Sequence, residues 1–111
     1  KAVLEGKVIK GTIPVLDVQY GNVWTNIPDE LFHQLQAKPG DQLSVKIFHN
    51  NKQVYQGTMP YSTTFGAVAL GKPLAYLNSL LQLSFALNQG NFAAANKIAS
   101  GNEWAVEVEK K

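Results

Sequence analysis

Apolar and polar residues alternate along much of the chain, the two-residue period of strands with one buried face. Leu43, Val45 and Ile47 interleave with Ser44, Lys46 and Phe48, and His49-Asn50-Asn51-Lys52 then reads as a turn into a returning strand at Val54 and Tyr55. Leu81, Leu83, Phe85 and Leu87 alternate with Gln82, Ser84, Ala86 and Asn88. Trp104, Val106 and Val108 alternate with Glu103, Glu107 and Glu109, giving a last strand with an acidic outer face. Val3 to Ile9 and Thr12 to Val18 are also β-rich, and Gly11 between them is expected to be a turn or bulge.

Helical signals are fewer. Asn26-Ile27-Pro28-Asp29-Glu30 offers a cap, a first-turn proline and two acids at the positive end of the helix dipole. Leu31, Phe32 and Leu35 form the apolar stripe, and Lys38-Pro39-Gly40-Asp41 ends it. Asn91 to Ile98 predicts a second, short helix. The expected fold is mainly β: a small antiparallel barrel of six or seven strands with one or two short helices.

Composition narrows the functions available. The chain has 111 residues, enough for one domain with its own core and too few for two. Ten Lys+Arg against eight Asp+Glu leave a net charge of +2, too small for a nucleic-acid footprint. No cysteine is present, which excludes disulfides, thiolate metal sites and a cysteine nucleophile. No apolar run is long enough to span a membrane, and no signal peptide is visible at Lys1. A start without methionine is expected of a chain cut from a longer protein.

A catalytic set is not apparent. His33 falls on the predicted helix and His49 beside a turn, neither in metal or triad spacing with an acid, so both read as surface histidines. No phosphate loop is present, and no metal site is expected. Two segments combine small polar groups with aromatics: Asp17 to Ile27, and Ala75 to Ser79 followed downstream by Asn88 to Asn91. That mixture suits an organic ligand with a flat ring and charged ends. It equally suits ordinary Asx turns and a β-bulge.

Asp17-Val18-Gln19-Tyr20-Gly21-Asn22-Val23-Trp24-Thr25-Asn26-Ile27 resembles a signature of the S-adenosyl-L-methionine hydroxide adenosyltransferases, relatives of the fluorinase and chlorinase. Gly71-Lys72-Pro73-Leu74-Ala75-Tyr76-Leu77-Asn78-Ser79, followed by Leu83, Ala86, Asn88, Gly90 and Asn91, is similar to a second stretch of that family. The resemblance implies the carboxy-terminal β-barrel domain, residues 1–111, of a longer two-domain enzyme whose amino-terminal α/β catalytic domain is not in this chain. It implies S-adenosyl-L-methionine as substrate, adenosine and L-methionine as products, a homotrimer, and a ligand held between this domain and the amino-terminal domain of a neighbouring subunit. No cofactor, nucleic acid or membrane partner is implied, and a cytoplasmic location is expected.

Residue by residue, the resemblance places Asp17 at the methionine ammonium, Asn22 at the adenine edge, Tyr20 beside the ring and Phe65 as a second stacking aromatic. Asn78 and Ser79 fall at the methionine carboxylate, and Asn88 and Gln89 where backbone groups read adenine. It places no catalytic residue here, so the isolated chain is expected to be inactive. Leu80 stands where the fluorinase has an arginine, Leu81 replaces a glycine, and Leu87 replaces a further arginine. These departures favour water over halide as the nucleophile. The expected reaction is attack of water or hydroxide on the ribose C5′. The alternatives are a halide-using relative and a non-catalytic barrel that binds a ligand, an oligonucleotide or a protein.

Overall fold

The structure, a computed structural model, describes residues 2–17, 19–64 and 68–111. Its most regular part is the hairpin of β5 (Gln42–His49) and β6 (Lys52–Pro60). Leu43, Val45 and Ile47 are fully buried while Ser44 and Lys46 face outward, as their alternation predicts. Asn50 and Asn51 turn the hairpin with φ of 52° and 67°. Two left-handed residues give the turn the twist that adjoining strands already have.

β9 (Gly101–Lys110) pairs with the other edge of β5 and with β2 (Val8–Ile13), and β1 (Val3–Glu5) lies outside β2. The resulting antiparallel sheet has the order β1-β2-β9-β5-β6. On its outer face Glu107 stands opposite Lys10 on one side and Lys46 on the other. The acidic row predicted for β9 is therefore interleaved with lysines, an arrangement that stabilises cross-strand neighbours.

Gly11 is not the turn. The chain reverses at Gly6 and Lys7, where Gly6 takes φ +64°, and Gly11 lies buried inside β2. A Cβ there would come within 2.6 Å of Asn26 Oδ1 and 2.9 Å of Ile27 Cγ1. The glycine lets the second sheet approach, and the Thr12 N–H donates to Asn26 Oδ1 at 2.8 Å across the gap. The register slips one step later, between Thr12 and Ile13.

The second sheet contains β3 (Val15–Leu16), β4 (Val23–Pro28), β7 (Pro73–Leu77) and β8 (Gln82–Leu87), in the order β3-β4-β8-β7. Val23, Thr25 and Ile27 face the core, so Asn26 and Ile27 belong to a strand, and Pro28 at its end is the N-cap position of the helix, with no side-chain cap bond. The helix proper, α1 (Asp29–Phe32), is four residues long and runs into a 3-10 turn at His33–Leu35. Thr25 Oγ1 donates to the Leu83 carbonyl at 2.7 Å and accepts the Ile27 N–H at 3.1 Å. This buried hydroxyl bridges the register shift between Trp24 and Pro28, where ladder bonds are interrupted.

The mainly β, antiparallel character matches the expectation from sequence. Nine strands occur among the described residues, against the six or seven expected, and their ladders draw two sheets. A parallel bridge between Tyr61 and Ala75 links the sheets at one margin. The core fills the space between them, with Val45, Ile47, Val106 and Val108 on one side and Val23, Ile27, Leu83 and Phe85 on the other. The second helix, α2 (Phe92–Asn96), is shorter than predicted and plugs one end of this space with Phe92, whose ring meets Tyr55 edge-on at 5.2 Å. No helix among the described residues is long and apolar enough to cross a membrane.

Candidate functional site

The loop between β3 and β4 is built around Asp17. Its N–H donates to the Asn22 carbonyl at 2.9 Å, its carbonyl accepts from Gly21 at 2.6 Å, and Oδ1 accepts the Gln19 N–H at 3.1 Å. Such an Asx arrangement closes a tight loop without a regular strand turn. Gly21 takes φ +72°, and its carbonyl accepts the Ala93 N–H at 2.9 Å, tying the loop to α2. Tyr20 stands 60% exposed at the loop tip, where its hydroxyl accepts from Gln19 Nε2 at 3.0 Å.

Opposite lies the chain leaving β8. Asn88 is buried, and its side-chain nitrogen and both backbone groups bond to its neighbours. Nδ2 donates to the Val68 carbonyl at 2.9 Å, the N–H to Lys72 at 3.0 Å, and the carbonyl accepts from Gly71 at 2.8 Å. The residue acts as a strut that fixes the course of residues 88–91. Asn91 then caps α2 by accepting the Ala94 N–H at 2.8 Å.

Between these two walls is a cleft of about 890 Å³, lined by Gln19, Tyr20 and Asn22 on one side and residues 87–91 on the other. A nucleoside fits that volume. Among the described residues, neither a lysine nor a carboxylate is in the lining. The nearest carboxylate named in the site is Asp17, whose Oδ2 lies 3.5 Å from Asn22 Nδ2. Asn22 is only 5% exposed; its Nδ2 donates to Tyr76 Oη at 2.9 Å, and its Oδ1 is buried without a hydrogen-bond partner. A buried amide oxygen left unpaired costs about 1–3 kcal/mol.

Four of the residues selected from the sequence thus share one cleft: Tyr20, Asn22, Asn88 and Gln89. Asp17 stands directly behind it. Asn78 and Ser79 lie on the turn between β7 and β8 and are not in the lining. The Asn78 amide is used within that turn: Oδ1 accepts from Leu80 at 2.8 Å and Gln82 at 3.2 Å, and Nδ2 donates to Ser84 Oγ at 2.8 Å. Phe65 lies outside the described residues. Of the two histidines, His33 is exposed, with Nδ1 2.7 Å from the Asp29 carbonyl oxygen. His49 is not the surface histidine expected: it is half-buried and stacked on Trp104 at 4.2 Å. Among the described residues, no three His, Cys, Asp or Glu side chains gather as a metal site.

Tyr76, the aromatic of the Ala75 to Ser79 segment, received no role from the sequence. It sits opposite Ser84, which is itself opposite Trp24, so one row across the sheet carries Tyr76, Ser84 and Trp24 beneath Asn22. Burial pushes the Tyr76 phenol above its ordinary pKa, while Trp24 and Asn22 beside the hydroxyl act in the opposite direction. Tyr55, also half-buried, is raised for the same reason. Both phenols are harder to ionise folded than unfolded. Their contribution to stability is therefore complete below the unfolded value near 10 and is lost as pH rises through the folded values. The urea midpoint is expected to fall above pH 10, and less steeply in Tyr76→Phe than in the parent. Equal alkaline slopes would remove Tyr76 from this account of the alkaline loss.

Comparison with known proteins adds a family context. The family model described as "SAM hydroxide adenosyltransferase C-terminal domain" matches residues 11–105. A fluorinase of Actinopolyspora mzabensis is 28% identical over 94 residues, which cover 84% of this chain and 30% of that protein. A crystal structure described as an uncharacterized conserved protein from Thermotoga maritima superposes with a TM-score of 0.81 at 28% identity, over 97% of this chain and 38% of its own. One described as a conserved hypothetical protein from Thermus thermophilus gives 0.57 at 26% identity, over 99% and 37%. The chain spans about a third of the length of each of these proteins.

Proposed function

Because this chain belongs to the SAM hydroxide adenosyltransferase C-terminal domain family, we propose that it forms the adenine-binding half of a site that consumes S-adenosyl-L-methionine. The observation that carries this reading is the nucleoside-sized cleft in which the fold gathers Tyr20, Asn22, Asn88 and Gln89. A primary amide such as that of Asn22 can both donate to and accept from an adenine edge. Tyr20, exposed at the rim, supplies an aromatic face for the ring. Residues 88–91 bring backbone groups to the same wall, held in place by the Asn88 bonds. Asp17 adds negative charge behind the amide, which favours the cationic methionine portion over a phosphate-bearing nucleotide.

The reaction follows from the chemistry of the sulfonium. Water attacks ribose C5′ in line with the departing sulfur, the C–S bond breaks with its electrons going to sulfur, and one proton is released. Sulfur leaves as a neutral thioether, so no acid is needed to protonate it. Orientation is the main task, and holding the reactants in line is worth roughly 7–11 kcal/mol. His33 and His49 both lie outside the cleft lining. Activation of water is therefore assigned to an amino-terminal domain. The complete site lies between this domain and the amino-terminal domain of a neighbour in a homotrimer, and the isolated chain does not turn over.

Calorimetric titration of the complete protein with adenosine and with S-adenosyl-L-methionine tests the reading. Both are expected to bind. Binding of neither would leave the family likeness as a likeness of fold alone.

A further inference from the structure

The turn between β7 and β8 holds a bulky residue in a conformation that favours glycine. Leu81 has φ 58° and is 56% exposed, so core packing does not keep it there. Hydrogen bonds do. The Leu81 N–H donates to the Asn78 carbonyl at 2.9 Å, and the Leu81 carbonyl accepts the Asp29 N–H at 2.9 Å. Asn78 Oδ1 accepts the N–H groups of Leu80 and Gln82, on either side of the strained residue. A turn of this kind persists only while its surroundings hold it.

The Asn78 amide is itself anchored in the sheet. Its Nδ2 donates to Ser84 Oγ at 2.8 Å, and Ser84 is fully buried. Ser84 Oγ also donates to the Gln82 carbonyl at 3.3 Å, and it hydrogen-bonds the phenol of Tyr76, its partner in the ladder. A hydroxyl has one proton and two lone pairs, so these three bonds use all that Ser84 has. Tyr76 Oη then accepts from Asn22 Nδ2 at 2.9 Å, in the loop that walls the cleft. Asn22, Tyr76, Ser84 and Asn78 thus form one unbroken series from the cleft wall to a turn outside its lining. Bonds in such a series reinforce one another, and loosening one weakens the rest.

We propose that Ser84 and Tyr76 are positioning residues that transmit occupancy of the cleft to the β7–β8 turn. The proposal rests on the nucleoside reading of the cleft. The turn has two arrangements: the strained one held by the Asn78 amide, and a relaxed one in which that amide lets go and Leu81 leaves the left-handed region. A nucleoside seated against residues 19–22 fixes that loop, and Asn22 with it. The fixed loop favours the closed series of bonds, and the closed series favours the strained turn. By the same linkage, a turn already held in place strengthens nucleoside binding.

Methyl NMR of the complete protein tests this, with adenosine as the probe. Leu87 lines the cleft, whereas Leu80 stands exposed on the turn outside it. Their signals are identified by their loss in Leu87→Met and Leu80→Met. In the parent, adenosine is expected to move both signals along one saturation curve. Tyr76→Phe cuts the series but keeps the Asn78–Ser84 bond; at saturation Leu87 is expected to respond as before and Leu80 to lose most of its shift. Ser84→Ala is expected to do the same, with the Leu80 signal displaced even without ligand. Where Ser84→Ala fails to fold, Tyr76→Phe decides alone. A Leu80 signal indifferent to adenosine in a parent whose Leu87 responds overturns the proposal and leaves the nucleoside reading standing. A full Leu80 shift in saturated Tyr76→Phe overturns it too, since direct contact or a purely structural role would give that result. No response at Leu87 in the parent rejects the nucleoside reading, and this coupling with it.

Discussion

Gly21→Val is expected to lower the stability of the protein by about 2–5 kcal/mol, the largest effect of any single change outside the core. Two causes add. The glycine has φ +72°, a conformation that costs an L-residue about 1–2 kcal/mol and a β-branched one more. A Cβ built on Gly21 also falls on the side-chain amide of Asn91. Displacing that side chain removes the α2 cap, in which Oδ1 accepts the Ala94 N–H, at a cost of about 0.5–2 kcal/mol. The damage spreads because the Gly21 carbonyl accepts from Ala93, beside the Phe92 ring that closes the core. Against a total stability of roughly 5–15 kcal/mol this is a substantial share. Urea unfolding of Gly21→Ala and Gly21→Val measures it, with alanine expected to lose less than valine. A valine variant within about 0.5 kcal/mol of the parent would show that the seam between loop and α2 is not rigid.

The largest functional effect is expected at Asn22. Replacing it by alanine removes the amide assigned to the adenine edge, together with the donor that holds the Tyr76 phenol. Loss of a buried polar partner costs about 1–3 kcal/mol, so adenosine affinity is expected to fall roughly 10- to 100-fold. Part of the loss could reflect a general loosening of the cleft wall. Asn88→Ala provides the contrast, since the Asn88 side chain holds the backbone through Val68 and only backbone groups of residues 88–91 are assigned to the ligand. It is expected to lower stability and adenosine affinity in step, whereas Asn22→Ala lowers affinity beyond its effect on the urea midpoint. Full-strength adenosine binding by Asn22→Ala would remove this residue from the site.

How far the chain reveals its own fold depends on whether a strand has one buried face or two. β5 and β9 are legible because Val45, Ile47, Val106 and Val108 alternate with outward polar residues. β7 is hidden in the sequence because Leu74 and Ala75, on opposite faces, are both fully buried. β8 is legible through the alternation of Leu83, Phe85 and Leu87, yet Ser84 and Ala86 on its other face are buried too, the serine's hydroxyl accepting from Asn78. β4 is misread for another reason. Thr25 takes a core position only because its hydroxyl repairs the shifted ladder, so Val23, Thr25 and Ile27 do not look like an apolar row. The helical signals at Pro28 to Glu30 are genuine, and they start a helix one strand-end later than expected.

The site divides along a similar line. Tyr20, Asn22, Asn88 and Gln89 are visible through their resemblance to a family pattern, and the fold brings them to one cleft. The same pattern includes Asn78, yet both ends of that amide are engaged within the β7–β8 turn. A motif asparagine can serve a turn as readily as a ligand, and sequence does not distinguish them. The partner of Tyr76 is invisible for want of locality. The relation of Tyr76 to Asn22 exists only once β7 has been laid across β8 beside β4.

The most direct test is to incubate the complete protein with S-adenosyl-L-methionine in ¹⁸O-labelled water and analyse the products by mass spectrometry. The expected products are L-methionine and adenosine in equal amounts, with the label on the adenosine 5′-oxygen. A 5′-halogenated nucleoside formed in the presence of chloride or fluoride, or S-adenosyl-L-methionine recovered intact, would contradict hydrolysis at C5′.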